Sequence, residues 1–445
     1  MHSSTITHSD PYKYQSGFGN HFSSEALPGA LPIGQNSPQV CPYGLYAEQL
    51  SGTAFTVGRA GNQRTWLYRI HPAAMHRPFE PFLSIQNKVI GNFDTNNTVT
   101  TPTQICWLPF EIPESEPLDF VTGLCTIGGA GDTALKSGLA VHIYAATESM
   151  DKRAFSNSDG NLLIVPQQGR LDVQTELGPI MVAPNQIAVI QRGIRFSVGL
   201  LDGPSRGYIL EVYDNHFELP DLGPIGANGL ANPRDFQTPT AKYEHTSDSW
   251  EIVNKYQGEM FAAQQDHSPF DVVAWHGNYA PYKYDLANFN VINSVSYDHI
   301  DPSIFTVLTC KSVHPGTAVA DFIIFPPRFE VQQHTFRPPF FHRNCMTEFL
   351  GLIHGEYEAK KDGFLPGGAC LLSTMTPHGP DTKTVEIATM HELLPRRICE
   401  DSMMFMFESM YQLRLTKWAA KHKQRDHNYY KSWEGIPIRF NPDKI

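Results

Sequence analysis

The sequence predicts a mainly β protein built from two copies of one β-sandwich or barrel unit. Three observations carry that prediction. Glycine and proline contribute 34 residues each, which favours many turns over long helices. From residue 160, short apolar or alternating runs follow one another between Gly- and Pro-bearing turns: NLLIVPQQG, RLDVQTELG, PIMVAPNQIAVIQRG and IRFSVGL. That is the pattern of an all-β sandwich or barrel. Finally, residues 160–196 and 348–379 share one order of features. Each has an apolar run, Gly169 or Gly355, a second Gly turn, a Pro-led turn, another apolar run and a closing turn. Where the second copy has Glu348 and His378, the first has Leu162 and Arg195, so the first copy is read as metal-free scaffold.

Taken in order, residues 1 to about 150 read as short strands, such as TWLYRI (65–70) and LAVHIYAA (139–146), among long irregular loops. GYILEVY (207–213) adds a strand to the first barrel unit. The aperiodic stretch 218–239, ELPDLGPIGANGLANPRDFQTP, reads as a long ordered loop linking two halves. Near-helical spacing of apolar residues in DSWEIVNKYQGEMFAAQQ (248–265) predicts a helix there. The second β-rich region starts near FNVINSVSYDH and runs through IFTVLTC, VADFIIFPPRF, EFLGLIHG and ACLLSTMT. In SMMFMFESMYQLRLTKWAAK a strand followed by a helix fits, but periodicity does not settle which is which. The division expected is an N-terminal β-rich domain over 1–285 and a C-terminal domain over 286–445.

A net charge of −11 with no basic run argues against nucleic acid or an anionic membrane as partner. No run of about 18 apolar residues suggests a membrane span, and the N-terminus lacks the apolar core of a secretory signal. The seven cysteines (41, 106, 125, 310, 345, 370 and 399) are odd in number, scattered and without a CxxC pair. They read as reduced thiols of a cytoplasmic protein.

FHRNCMTEFLG (341–351) sets His342 six residues before Glu348. An extended chain would part them by ~20 Å, and a helix would turn them roughly 240° apart. Only a tight reversal lets them meet. Pro338 and Pro339 bring the chain to His342 extended. RNCMT can then turn, and EFLGLIHG departs as a strand ending at Gly355. Turn signals at Asp362-Gly363 and Pro366-Gly367-Gly368 fold the chain back through ACLLSTMT to His378, which Pro377 and Gly379-Pro380 hold in a rigid turn. Two imidazoles and one carboxylate on one face of an ion leave positions open for ligands. Non-haem Fe(II) oxygenases use such a set, and so does Zn²⁺. Any one of 19 histidines is more often a surface or hydrogen-bonded residue than a ligand. His354, about 20 Å along a straight strand from Glu348, is excluded. His216 and His276 read as structural, and Cys345 as a small buried residue.

These segments resemble the homogentisate dioxygenase family over nearly the whole chain. The resemblance rests on YQSGFGN (14–20), NSPQVCPYGLYAEQLSG (36–52), NSDGNLLIVPQQG (157–169), ELPDLGPIGANGLANPRDF (218–236), VVAWHGNYAPYKY (272–284), DPSIFTVLT (301–309), FHRNCMTEF (341–349) and STMTPHGPD (373–381). It implies a bicupin-like fold with a metal-free N-terminal β domain and one Fe(II) in a C-terminal cupin barrel, held by His342, Glu348 and His378. The cupin spacing H-x5-E-x6-G is kept from His342 to Gly355, with Asn344 where many cupins have a second His. The resemblance also implies His299 as general base, and Tyr357 with His378 as substrate contacts. The implied reaction is ring opening of homogentisate by O₂ to maleylacetoacetate, in tyrosine and phenylalanine breakdown. The implied assembly is a homo-oligomer, a trimer or dimer of trimers. Departures are Phe340 and Phe341, where the family often has two tyrosines, and Leu371 and Leu372, where a histidine is common.

Overall fold

Apolar runs closed by glycine turns become strands because extended segments satisfy their backbone only by pairing. The computed structural model describes residues 9–85, 88–293, 296–297, 301–360 and 363–443. Its architecture is mainly β and bicupin-like. A ten-stranded sheet and a seven-stranded sheet enclose one apolar core, to which Leu162, Ile164, Val173, Phe196 and Ile209 belong. In the strand Asn161–Gln168, Leu163 and Val165 point the other way, into a second core shared with a six-stranded sheet. With both faces buried, this strand reads as a continuous apolar run. No helix among the described residues is long and apolar enough to cross a membrane.

The six-stranded sheet runs, in spatial order, Thr306–Lys311, Ala318–Phe325, Met403–Ser409, Thr347–His354, Ala369–Leu372 and Ile105–Trp107. Its last strand comes from the first half of the chain. In return, Arg414–Thr416 lies in the ten-stranded sheet, where Leu415 opposes Gly128. The cores are further stitched by Tyr208, whose hydroxyl donates to the Gly368 carbonyl at 2.7 Å, and by Gln167, whose amide donates to Ile353 at 3.0 Å.

Register exposes a correspondence between the two units. Glu348 stands opposite Glu408, and Leu162 stands opposite Glu211. In the first unit this end is closed by buried charge. Lys255 Nζ reaches Asp159 at 2.7 Å and Glu211 at 2.9 Å, while His142 and Asn157 also bond Glu211, at 2.9 and 2.7 Å. Burial alone would push the Glu211 carboxyl up; Lys255, His142 and Asn157 outweigh it and hold it at about 2. Arg195 is buried and serves structure, its backbone N–H donating to Glu176 at 2.8 Å.

Several expectations are corrected. Residues 248–265 form a hairpin, not a helix: Trp250–Tyr256 and Glu259–Gln265 pair along their full length. Gln257 (φ 51°) and Gly258 (φ 78°) make the two-residue turn with both φ positive that matches strand twist. Trp250 and Ile252 pack in a small core with Phe270, while Val253 faces the main core of the first unit. Cys106 and Cys370, expected to be scattered, oppose each other in register with their sulfurs in direct contact. Cys345 is exposed rather than buried. The late segment resolves into the strand Met403–Ser409 and, after Arg414–Thr416, a short helix Lys417–Ala420 capped by Thr416, whose hydroxyl accepts from Ala419 N–H. The helix Thr382–Met390, which the sequence reading did not anticipate, starts at Asp381, whose carboxylate accepts from Thr384 N–H. Asp362 of the expected Asp362-Gly363 turn lies outside the described residues.

Candidate metal centre

The reversal between His342 and Glu348 is built by Asn344. Its side-chain oxygen accepts from Met346 N–H at 2.9 Å, and its carbonyl accepts from Met375 N–H at 2.7 Å. His342 and His378 then pair directly, His342 N–H donating to His378 O at 2.9 Å and the reverse bond measuring 3.1 Å. Glu348 enters one residue into its strand, at the buried end of the same cleft. At the turn before Pro380, Gly379 is needed sterically, since a Cβ there would lie 2.4 Å from the Phe341 ring.

One ligand atom from each of His342, Glu348 and His378 lies within 4.8 Å of the others. His342 Nε2 is 3.5 Å from Glu348 Oε1, and His378 Nε2 is 3.2 Å from Glu348 Oε2. Each imidazole faces a backbone carbonyl with Nδ1, His342 to Phe340 O at 2.8 Å and His378 to Thr376 O at 2.9 Å. Those bonds place the neutral ring's proton on Nδ1 and leave Nε2 as a lone-pair donor. Two lone pairs and a carboxylate aimed at one point repel unless a cation sits among them. Burial pushes the Glu348 carboxyl up, but the Asn344 amide and the imidazoles of His342 and His378, where Nε2 carries a proton, hold it at about 2. A cation among the three donors takes the place of those protons. The donor set therefore fits a divalent cation, and ligand type alone admits both Fe²⁺ and Zn²⁺.

Sequence reading missed the layer behind these donors. Asn344 Nδ2 donates to Glu348 Oε1 at 2.8 Å and to Glu408 Oε1 at 2.6 Å. Burial, with the charges of Glu348 and Asp321 adding to it, raises the Glu408 carboxyl to about 7 despite the Asn344 bond. The signal available was a lone Glu inside the apolar strand MMFMFES, which by itself reads as a solvent-facing residue.

The cluster opens on a cavity of about 420 Å³. Phe305, Leu350, Leu372 and Met406 give it an apolar wall, and Tyr357, Asp301 and Arg343 also line it. Tyr357 packs edge-on to Phe364 at 5.8 Å; burial and nearby carboxylates push its phenol well up, so it stays protonated. His299 lies outside the described residues, although Asp301, two positions on, lines the cavity. Of the departures, Leu372 sits opposite Glu348 in register and supplies apolar wall; Phe340 also lines the cavity, its ring 5.5 Å from that of His342, and Phe341 is exposed. The other histidines weighed from the sequence, His354, His276 and His216, stand apart from this cluster. His354 Nδ1 faces Asp401 O at 3.1 Å at the exposed end of its strand, and His276 Nε2 lies 3.3 Å from the Tyr68 hydroxyl. His216 bonds Gly52 and Asn161, burial lowering its pKa to about 4.

Two β units, the second gathering a His-Glu-His cluster at the mouth of an apolar cavity, define a protein of the bicupin class. Two family profiles cover the chain: Homogentisate 1,2-dioxygenase N-terminal matches residues 13–286 and Homogentisate 1,2-dioxygenase C-terminal matches residues 287–440. The homogentisate 1,2-dioxygenase of Drosophila melanogaster is 58% identical over 439 residues, 97% of this chain and 99% of that protein. The Homo sapiens protein of that name is 58% identical over 438 residues, 97% of each chain. The Arabidopsis thaliana one is 57% identical over 432 residues, 96% of this chain and 93% of that protein. The chain belongs to the homogentisate 1,2-dioxygenase family and is an enzyme, a dioxygenase.

Proposed function

We propose that the protein is a cytoplasmic Fe(II)-dependent dioxygenase that opens the ring of homogentisate with O₂ to give maleylacetoacetate, in tyrosine and phenylalanine breakdown. The observation that carries this reading is the convergence of His342, Glu348 and His378 at a cavity of about 420 Å³, in a chain of this family. Iron held by these three residues would supply adjacent positions for a substrate oxygen and O₂ and a route for charge between them. The carbonyls of Phe340 and Thr376 keep both imidazoles turned with Nε2 inward. The apolar wall excludes water from the reacting ring. His299 accepts a proton from a ring hydroxyl, and Tyr357, protonated, donates a hydrogen bond to substrate beside His378. Residues 286–445 carry the chemistry, with 1–285 as scaffold. The enzyme works as a homo-oligomer, a trimer or dimer of trimers. The apolar residues Ile387, Met390 and Leu394, exposed on and just beyond the helix Thr382–Met390, support such an assembly.

The test is oxygen uptake by the Fe(II)-loaded protein with homogentisate, run beside metal analysis. Stoichiometric O₂ consumption is expected; a metal-loaded protein that consumes none with any dihydroxy aromatic acid sinks the reading. Replacing His299 by Ala should leave iron content unchanged and slow turnover by about 10²–10⁴-fold, the usual worth of a general base. Loss of iron in that variant would instead make His299 a ligand.

A further inference from the structure

A second cluster lies in the first half of the chain, outside the cavity just described. His71 follows the strand Arg64–Arg69, Asp271 precedes its partner strand Val272–Gly277, and His267 follows Glu259–Gln265 in another sheet. One ligand atom from each lies within 4.8 Å of the others, a bound the His-Glu-His cluster also meets. His71 Nδ1 is 3.0 Å from Asp271 Oδ2, and the His71 and His267 rings stand 4.2 Å apart. His267 is only 5% exposed, and its Nε2 is buried with no hydrogen-bond partner among the described residues. Such an atom is costly unless something binds it.

The charge around the cluster favours a cation. Asp271 is 1% exposed and bonds Arg69 through Oδ1, while Oδ2 also accepts from His71 N–H at 2.7 Å. Arg69 is shared with Glu48 and Glu176, and Arg195 binds Gln265, the Ala73 carbonyl and, through its backbone, Glu176. Three carboxylates thus face two guanidinium groups, leaving one negative charge in excess. We propose that His71, His267 and Asp271 form a second divalent-cation site, of zinc type, that clasps the sheet holding Arg64–Arg69 and Val272–Gly277 to the hairpin Trp250–Gln265. Two imidazoles and a carboxylate without thiolate suit Zn²⁺ with water in the remaining position. His71 is half-buried and gives the ion access from solvent; exposed His245, its ring 6.2 Å from that of His71, stands where a fourth ligand can reach.

Iron-loaded protein titrated with Zn²⁺ against a chromophoric chelator, with both metals measured after desalting, tests the site. The expected result is one zinc per chain beyond the iron complement. His71→Gln and His267→Gln should each weaken it by at least about tenfold, since even contacts behind a metal's ligands cost that much. Iron content and oxygen uptake should stay unchanged. Zinc should also raise the thermal midpoint of the unaltered protein and not of the variants. No zinc beyond the iron complement, zinc that merely displaces iron, or equal uptake by the variants would overturn the site. Should His267→Gln fail to fold, His71→Gln, on the half-exposed rim, decides alone.

Discussion

Glu348→Ala is expected to yield folded protein that holds no iron and takes up no oxygen with homogentisate. Glu348 is the one anion among the three converging donors and the only one paired through Asn344 to the layer behind. Its loss leaves two neutral imidazoles facing an empty corner. If the metal carries the rate enhancement, activity falls by roughly 10⁶-fold or more, the lower end of what enzymes supply. Glu348→Gln separates charge from shape, because it keeps the volume and a hydrogen-bonding oxygen for Asn344. It should also lose most iron. Metal analysis beside oxygen uptake reads both variants, and full iron retention in either would remove Glu348 from the proposed ligand set.

The largest expected effect on stability lies at the other unit. Lys255→Met leaves Asp159 and Glu211, each within 3 Å of the lost ammonium, buried without their shared cation. His142 and Asn157 still bond Glu211, and the N–H groups of Gln257 and Gly258 still bond Asp159. Breaking a buried ion pair from one side typically costs about 3–5 kcal/mol, read as a lowered midpoint in thermal or urea unfolding. Iron content and turnover per folded molecule should be preserved below that midpoint. An unchanged midpoint would mean the charges are not coupled. The same network sets a pH dependence. Glu211 is held at about 2, below its ordinary 4.5, so its contribution is full above the ordinary value. It is lost as pH falls through the folded value, making it part of acid denaturation rather than of behaviour near neutrality.

The parts of this structure legible in the sequence were those governed by short-range backbone arithmetic. His342 and Glu348 had to meet across a turn, and Pro377 and Gly379 marked where His378 would stop. The strands over 160–213 announced themselves through Gly- and Pro-bearing turns. Residues 248–265 misled because Ile252, Val253, Met260 and Ala263 suit a period of 3.6 nearly as well as a period of 2. The decisive mark was the pair Gln257-Gly258, whose positive φ angles close a hairpin. What depends on register between distant segments was not legible. Glu408 becomes part of the candidate site only because it lies opposite Glu348, and Cys106 meets Cys370 only through a pairing that spans 264 residues. The cluster of His71, His267 and Asp271 stayed hidden for the same reason, since three segments must fold before its donors meet.

That long pairing has a consequence for how the molecule is made. The strand Ile105–Trp107 finds its partner only when Ala369–Leu372 has been synthesised, and the sheet holding Leu124–Asp132 waits for Arg414–Thr416. At about 5–20 residues per second on the ribosome, 264 residues of delay leave an unpaired apolar edge open for roughly 10–50 s. The nascent chain therefore passes through a sticky stage that no truncation at the middle of the sequence would relieve, and its yield in a cell should track the supply of chaperones that shield strand edges.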